Sequence, residues 1–137
     1  MESELAEFVW RRARSRCEYC RLPQEFSTLT FEIDHIIAVK HGGKTISRNL
    51  ALSCYYCNSF KGSNIASLDP LTRKLTLLFD PRRQSWDRHF RWHGPRLVGR
   101  TATGRTTVKV LLINLDLRME HRRALMEANL FPAEQDD

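Results

Sequence analysis

The spacing of hydrophobic residues changes twice in the first third of the chain. Residues 3–16 carry them at helical intervals and become strongly basic toward the end of the segment, which predicts an amphipathic N-terminal helix. Hydrophobic and polar residues then alternate over residues 29–34, as in a β-strand, and a second apolar run occupies residues 36–39. The stretch His41-Gly42-Gly43 marks a loop.

Two short helices are predicted after this loop. Ser47 can cap the first, which we expect to run through Leu52. The second extends from Cys54 to Lys61 and ends at Gly62, a residue that favours the C-terminal end of a helix.

The second half of the chain has a weaker pattern. Residues 75–79 alternate like a strand, a helix opens near Thr103-Gly104, and a last helix covers about residues 115–129. In that last helix we expect the apolar residues to face inward and the arginines to face water. The inward residues are Leu117, Leu125 and Met126, and the outward ones are Arg118, Arg122 and Arg123.

Composition and charge narrow the class of protein. The 137 residues are 42% hydrophobic and 28% charged, which is ordinary for a globular domain and excludes a disordered chain. The net charge of +6 suits a polyanionic partner, although simple solubility explains the charge equally well. No apolar run is long enough for a membrane span and no secretory leader is recognisable, so we expect a cytoplasmic protein without a membrane partner.

All four cysteines fall into two Cys-x-x-Cys pairs, Cys17/Cys20 and Cys54/Cys57. Two such pairs can supply the tetrahedral thiolate set of a structural zinc. Two disulfides, or four unrelated buried thiols, are the alternatives. Because disulfides are rare in the cytoplasm, the sequence favours one zinc.

The segment that includes both pairs resembles the HNH nuclease family, in its zinc-bearing subgroup, over about residues 17–62. The matching residues are Cys17-x-x-Cys20, Asp34-His35-Ile36, His41-Gly42-Gly43, and the run Asn49-Leu50-x-Leu52-x-Cys54-x-x-Cys57-Asn58-x-x-Lys61. The resemblance implies a β-hairpin followed by a helix around one catalytic divalent cation.

The resemblance also implies roles for single residues. His35 is expected to activate the attacking water as general base, and Asn49 to hold the loop that positions it. Asp34 and Asn58 are expected to bind the catalytic cation. The family usually has His at the last of these positions, and an amide oxygen in its place favours Mg²⁺ or Mn²⁺ over softer ions.

Elementary chemistry supports a shared site for Asp34 and His35 under one condition. Hydrolysis of a phosphodiester needs a nucleophilic water and neutralisation of the phosphate charge, which a histidine and a cation can supply. Neighbouring residues of a strand point to opposite faces. The strand must therefore end or twist sharply at this pair.

Candidate nucleic-acid contacts lie mainly in the second half of the chain. Lys61 is either a solvated helix residue or a phosphate contact. The basic residues Arg82, Arg83, Arg88 and Arg91 are interleaved with aromatic ones, as expected of a nucleic-acid groove. For Trp86 and Phe90, a place in the core is the favoured interpretation.

Together these patterns predict an α+β fold in a single domain. Its parts are an N-terminal helix (1–16), a ββα-metal core clamped by a four-cysteine zinc site (17–66) and a C-terminal extension that ends in helices (67–137). The leading hypothesis is an endonuclease that cuts DNA, double-stranded DNA above all. The alternative is a zinc-binding nucleic-acid module that does not cut. A redox protein is excluded by the lack of a thioredoxin-like βαβ frame, and no pattern indicates an oligomeric state.

Overall fold

The structure, a computed structural model, describes residues 1–133, so that residues 134–137 of the predicted C-terminal extension lie outside the described part. Helices alternate with three two-stranded antiparallel sheets among these residues, which confirms the α+β class. The elements are α1 (Ser3–Ala13), β1 (Glu32–His35), β2 (Leu50–Ser53), α2 (Tyr55–Lys61), β3 (Ala66–Leu68), β4 (Leu75–Leu77), α3 (Trp86–His89), β5 (Phe90–His93), β6 (Arg96–Gly99), α4 (Ala102–Val110) and α5 (Asp116–Glu127).

Strands β1 and β2 form the hairpin that the resemblance implies. They pair in antiparallel register from Glu32 opposite Ser53 to His35 opposite Leu50. Helix α2 follows β2 directly and begins after Cys54, whose sulfur accepts a hydrogen bond from the backbone N–H of Cys57. The order of elements is therefore ββα, and it is consistent with the expected ββα-metal core.

The predicted helix from Ser47 to Leu52 is wrong. A 3₁₀ turn covers only Ser47–Asn49, and the chain then enters strand β2. All four residues of β2 are buried, so the strand lacks the alternation of apolar and polar residues by which half-exposed strands are recognised.

The N-terminal helix is confirmed, although it ends at Ala13, three residues before the predicted end. Arg14 closes it in a left-handed conformation with φ 56°. The guanidinium of Arg12 donates from the last turn of α1 to the backbone oxygens of Ser47 and Leu50. These bonds hold the helix against the start of β2.

The C-terminal extension contains a hairpin that the pattern did not predict. Strands β5 and β6 pair from Phe90 opposite Gly99 to His93 opposite Arg96, around a turn at Gly94. The last two helices lie close to their predicted positions, with α4 beginning after the cap residue Thr101.

The predicted orientation of α5 is wrong for three of the six residues considered, Arg118, Arg122 and Leu117. Arg123 is exposed as predicted, and Leu125 and Met126 are half-buried. Arg118 and Arg122 are buried, with 5% and 3% of their surfaces exposed, whereas Leu117 is 53% exposed. Helical periodicity assigned the apolar residues to the core, but these guanidinium groups find buried acceptors there, and such pairing makes burial of a charge tolerable.

The C-terminal extension contacts both the turn of the first cysteine pair and the hairpin, and all three share one continuous core. The indole N–H of Trp86 donates to the carbonyl oxygen of Tyr19 at 2.9 Å. Arg82 forms a largely buried ion pair with Glu18 and donates to the carbonyl oxygen of Leu50 at 2.7 Å. Among the described residues, no helix is long and apolar enough to cross a membrane.

The ion pair between Arg82 and Glu18 predicts a stability difference between two neighbouring arginines. Arg82→Ala leaves the largely buried carboxylate of Glu18 without its cation and should lower the free energy of unfolding by roughly 3 kcal/mol. Arg83 has a side chain that is 86% exposed, and Arg83→Ala should change stability by less than about 0.5 kcal/mol. Chemical denaturation of both zinc-loaded variants checks this. Equal losses of unfolding free energy in the two variants would show that the ion pair between Arg82 and Glu18 does not stabilise the packing of the C-terminal extension.

Candidate metal centre and active site

The four cysteine sulfurs lie within 4.8 Å of one another and all four residues are buried. The sulfurs of Cys20 and Cys54 are 3.7 Å apart. A zinc held at about 2.3 Å by four tetrahedral thiolates separates its ligands by about 3.8 Å. The donor set and its spacing therefore fit a structural zinc.

Each pair of cysteines is held by its local backbone. The N–H of Cys17 donates to Leu22, and the carbonyl oxygen of Cys17 accepts from Arg21, so the first pair sits in a tight turn after α1. In both pairs the second cysteine donates its backbone N–H to the sulfur of the first, at 3.4 Å. Burial and hydrogen bonds with the other thiols raise the pKa of Cys17 well above its ordinary value, whereas hydrogen bonds from the other three thiols and the nearby Arg118 lower the pKa of Cys20, despite burial. A thiolate is the form that binds zinc.

Asp34 lies one residue before the end of β1 and is buried. Its Oδ2 accepts a hydrogen bond from the hydroxyl of Tyr19 at 2.8 Å and lies 3.0 Å from the ammonium of Lys61. Burial raises the pKa of Asp34, while Lys61 and Tyr19 act in the opposite direction. Tyr19 stands between the two zinc-site cysteines of the first pair, so Asp34 connects that turn to the hairpin.

Lys61 has neither of the two roles considered for it from the sequence. Its surface is 1% exposed, so it is not a solvated residue and cannot reach a phosphate. Besides Asp34, its ammonium donates to the carbonyl oxygens of His35 and Ile36, at 3.3 and 3.1 Å. The last residue of α2 therefore fixes the backbone on which His35 is mounted.

His35 is the last residue of β1, so the strand ends there, and its side chain is half-buried. Its Nε2 lies 2.9 Å from the hydroxyl oxygen of Thr45. Within residues 1–133, Nδ1 has no hydrogen-bond partner. Sequence reasoning missed Thr45 because the hydroxyl reaches His35 only through the fold of the intervening loop.

Asn49 holds the two ends of that loop together. Its Oδ1 accepts from the N–H of Ile37, and its Nδ2 donates to the carbonyl oxygens of Ile37 and Lys44 at 3.0 and 2.9 Å. Gly43 fits inside this network because it lacks a side chain: a Cβ there would lie 1.7 Å from the oxygen of Ile37. These hydrogen bonds tie residues 37 and 44, the two ends of the loop, to Asn49.

Asn58 lies on α2, directly after the last cysteine, and is half-buried. In the described chain its side-chain amide forms no hydrogen bond, whereas the carboxylate of Asp34 is engaged by Tyr19 and Lys61. Carboxylate and amide oxygens suit Mg²⁺ or Mn²⁺. Of the two predicted ligands of the catalytic cation, Asn58 thus offers the uncommitted donor.

The candidate nucleic-acid residues divide into two groups. Arg82 is largely buried and is engaged by Glu18 and the carbonyl oxygen of Leu50 within the protein. Arg83, Arg88 and Arg91 are exposed and able to meet a polyanion. The structure places Trp86 and Phe90 in the buried core, as favoured from the sequence.

The cysteine cluster predicts one zinc in each purified chain. Cys54→Ser should release it and unfold the domain, because a structural zinc contributes on the order of 10 kcal/mol of folding free energy. Elemental analysis and circular dichroism check both parts. Zinc-free protein with two disulfides, identified by mass spectrometry, would contradict this interpretation of the cluster.

Comparison with known proteins agrees with this geometry. Residues 17–64, about a third of the chain, match the family model described as HNH endonuclease. Neither the curated proteins nor the solved structures yielded a match. The matched segment contains both cysteine pairs, the β1–β2 hairpin and helix α2. The resemblance of this segment to the HNH endonucleases is thereby confirmed.

Proposed function

We propose that this protein is a metal-dependent endonuclease that hydrolyses phosphodiester bonds in DNA. The observation that carries the proposal is the setting of His35, at the end of a strand within the segment that matches the HNH family. One ring nitrogen is held by Thr45, and the backbone of His35 is held by Lys61. The imidazole is thus oriented while its other nitrogen stays available.

His35 acts as the general base in this proposal. In the neutral imidazole, one nitrogen carries the proton and the other accepts. When Nε2 carries it and donates to the hydroxyl of Thr45, Nδ1 is left to take a proton from an attacking water. An imidazole changes charge near neutral pH, which suits it to that transfer.

Two neighbouring residues position His35 without touching the substrate. Lys61 ties the carbonyl oxygens of residues 35 and 36 to the buried carboxylate of Asp34. Asn49 fixes the chain at Ile37, just beyond. Movement of the imidazole by even about 1 Å can cost a large factor in rate, so these contacts bear directly on activity.

The amide oxygen of Asn58 and the carboxylate of Asp34 would hold the catalytic cation, with Mg²⁺ or Mn²⁺ favoured by the oxygen donors. When bound, such a cation neutralises charge on the phosphate and assists the leaving oxygen. Ligation by Asp34 requires its carboxylate to share its lone pairs with Tyr19 and Lys61. Asn58 faces no such competition among the described residues.

The net charge of +6 and the exposed Arg83, Arg88 and Arg91 favour a polyanion as substrate. Within the proposed nuclease function, that polyanion is DNA, in its double-stranded form. We also place the protein in the cytoplasm, where cysteine thiols stay reduced and can bind zinc.

One observation favours a second function, a zinc-binding nucleic-acid module that does not cut. The carboxylate of Asp34 already has a cationic partner inside the protein, in the ammonium of Lys61 at 3.0 Å. Because Lys61 already neutralises the charge of Asp34, the buried carboxylate needs no bound cation for that purpose. Cleavage assays separate the two functions.

The sharpest test is His35→Ala on plasmid DNA in the presence of Mg²⁺ or Mn²⁺. Loss of a positioned general base should lower the cleavage rate by about 10² to 10⁴. Zinc content, fold and DNA affinity should stay nearly unchanged, since the hydrogen-bond partner of the His35 ring is the exposed Thr45.

His121→Ala provides the matched control, because His121 is an exposed histidine on α5. It should cut like the wild type. If wild type and His35→Ala nick plasmid equally, His35 is not the base. If the wild type fails to cut with every divalent cation tried, the module that does not cut becomes the better account.

The exposed arginines predict a salt-dependent affinity for DNA. Each phosphate contact removed should reduce the slope of log affinity against log salt by about 0.9. Simultaneous replacement of Arg83, Arg88 and Arg91 by Ala should therefore weaken binding and flatten that slope, whereas Arg123→Ala on α5 should do neither. Fluorescence anisotropy at several salt concentrations measures both quantities. An affinity indifferent to salt would contradict the proposed phosphate contacts.

A further inference from the structure

Helix α5 carries two buried arginines one turn apart, and they have different partners. A buried guanidinium must have its N–H groups and its charge satisfied, since an unpaired charge is costly inside a protein. Arg118 donates to the carbonyl oxygens of Leu111 and Leu112, at 2.8 and 3.1 Å. These acceptors account for one of its two terminal nitrogens.

The other terminal nitrogen of Arg118 points at the cysteine cluster. Nη2 lies 3.1 Å from the sulfur of Cys57 and 3.7 Å from that of Cys54. The guanidinium carbon lies 5.6 Å from the ring centroid of Tyr56, which limits where the group can move. A single side chain from the C-terminal extension thus reaches the second cysteine pair.

Arg122 is buried to the same degree but has other partners. Its Nε donates to the oxygen of Pro95 at 2.8 Å, and its Nη2 donates to Ile113 and Asn114 at 2.9 and 3.1 Å. Over the described residues, none of its hydrogen bonds goes to a sulfur. Because Arg122 is near enough to the cysteines to interact with their charge, it controls for the loss of a buried, nearby cation. The hydrogen bond to sulfur is what distinguishes Arg118.

A zinc ion bound by all four cysteines would place a net negative charge beside Arg118. Four thiolates and one Zn²⁺ leave two negative charges in a buried region, where charges interact more strongly than in water. A guanidinium in hydrogen-bonding contact with a ligand sulfur offsets part of that charge. Groups that contact metal ligands also orient them, and their removal typically weakens metal affinity by about 10- to 100-fold.

We propose that Arg118 is a charge-balancing and positioning residue of the zinc site, supplied by the C-terminal helix. Docking of α5 and retention of zinc are then coupled, so that each favours the other. The coupling requires zinc at the four cysteines but not the proposed nuclease activity. The segment that matches the HNH family ends at residue 64, and through Arg118 the C-terminal extension would stabilise the zinc site of that segment.

Competition with a chromophoric chelator tests this coupling in Arg118→Met and Arg122→Met. Arg118→Met should bind zinc about 10- to 100-fold more weakly than the wild type. Arg122→Met should stay within about threefold of the wild type, although both variants should unfold at lower temperature. Equal loss of zinc affinity in both would overturn the proposal, because general destabilisation would explain it. Wild-type affinity in Arg118→Met would overturn it as well.

A spectroscopic measurement distinguishes a contact with the ligands from a purely structural role. In cobalt-substituted protein, loss of the N–H···S bond leaves the thiolates more electron-rich, so the thiolate-to-cobalt charge-transfer band should move to longer wavelength. We expect this shift for Arg118→Met and not for Arg122→Met. A band unchanged by the first substitution would contradict the proposal.

The conservative pair Arg118→Lys and Arg122→Lys covers the case in which the methionine variants do not fold. Lysine keeps the charge but cannot serve two carbonyls and a sulfur through one planar fork. Arg118→Lys should lose zinc to the chelator faster than Arg122→Lys at the same temperature. Equal rates would overturn the proposal.

Discussion

Convergence of four sulfurs on one point is the constraint on which the rest of the structure depends. It joins residues 17–20 to residues 54–57, so everything between them must leave and return within a short distance. The β1–β2 hairpin meets that requirement, and α2 begins where the second pair starts. In a short chain with a modest core, a metal bound by four cysteines is an effective source of stability.

Buried charged residues connect the cysteine cluster to the hairpin on one side and to helix α5 on the other. Toward the hairpin, Tyr19 and Lys61 hold Asp34, and Lys61 continues to the backbone of His35. Toward the C-terminus, Arg118 connects the sulfurs to α5. The candidate catalytic residue and the last helix are therefore linked to the same metal centre through short chains of direct contacts. Such contacts are specific in geometry, because a buried charge tolerates few alternative partners.

The sequence was most informative where residue type and spacing carry the chemistry. The paired cysteines predicted a cluster that the structure brings together, the resemblance predicted the β1–β2 hairpin, and Gly62 correctly ended α2. Strand β2 was missed because complete burial removes the alternation by which a strand is recognised. Thr45 and Tyr19 were missed because their contacts depend on the folded path of the chain.

Three arginines lie in surroundings that the sequence did not predict. Arg82, Arg118 and Arg122 were all assigned to the surface, since charged residues usually lie there. Each instead finds acceptors far along the chain: Glu18 for Arg82, Cys57 for Arg118 and Pro95 for Arg122. Helical periodicity contains no information about such partners. The same error concealed the connection between the C-terminal extension and the zinc site.

The central claim is that a zinc that takes no part in the chemistry holds the frame in which His35 acts. The most direct measurement is plasmid cleavage by protein samples of graded zinc content, at constant protein and with Mg²⁺ or Mn²⁺ in constant excess. Cleavage should rise in proportion to the fraction of chains that hold zinc, and zinc-free protein should be inactive even with the catalytic cation abundant. Full cleavage by zinc-free protein, or none at full zinc occupancy, would contradict the account.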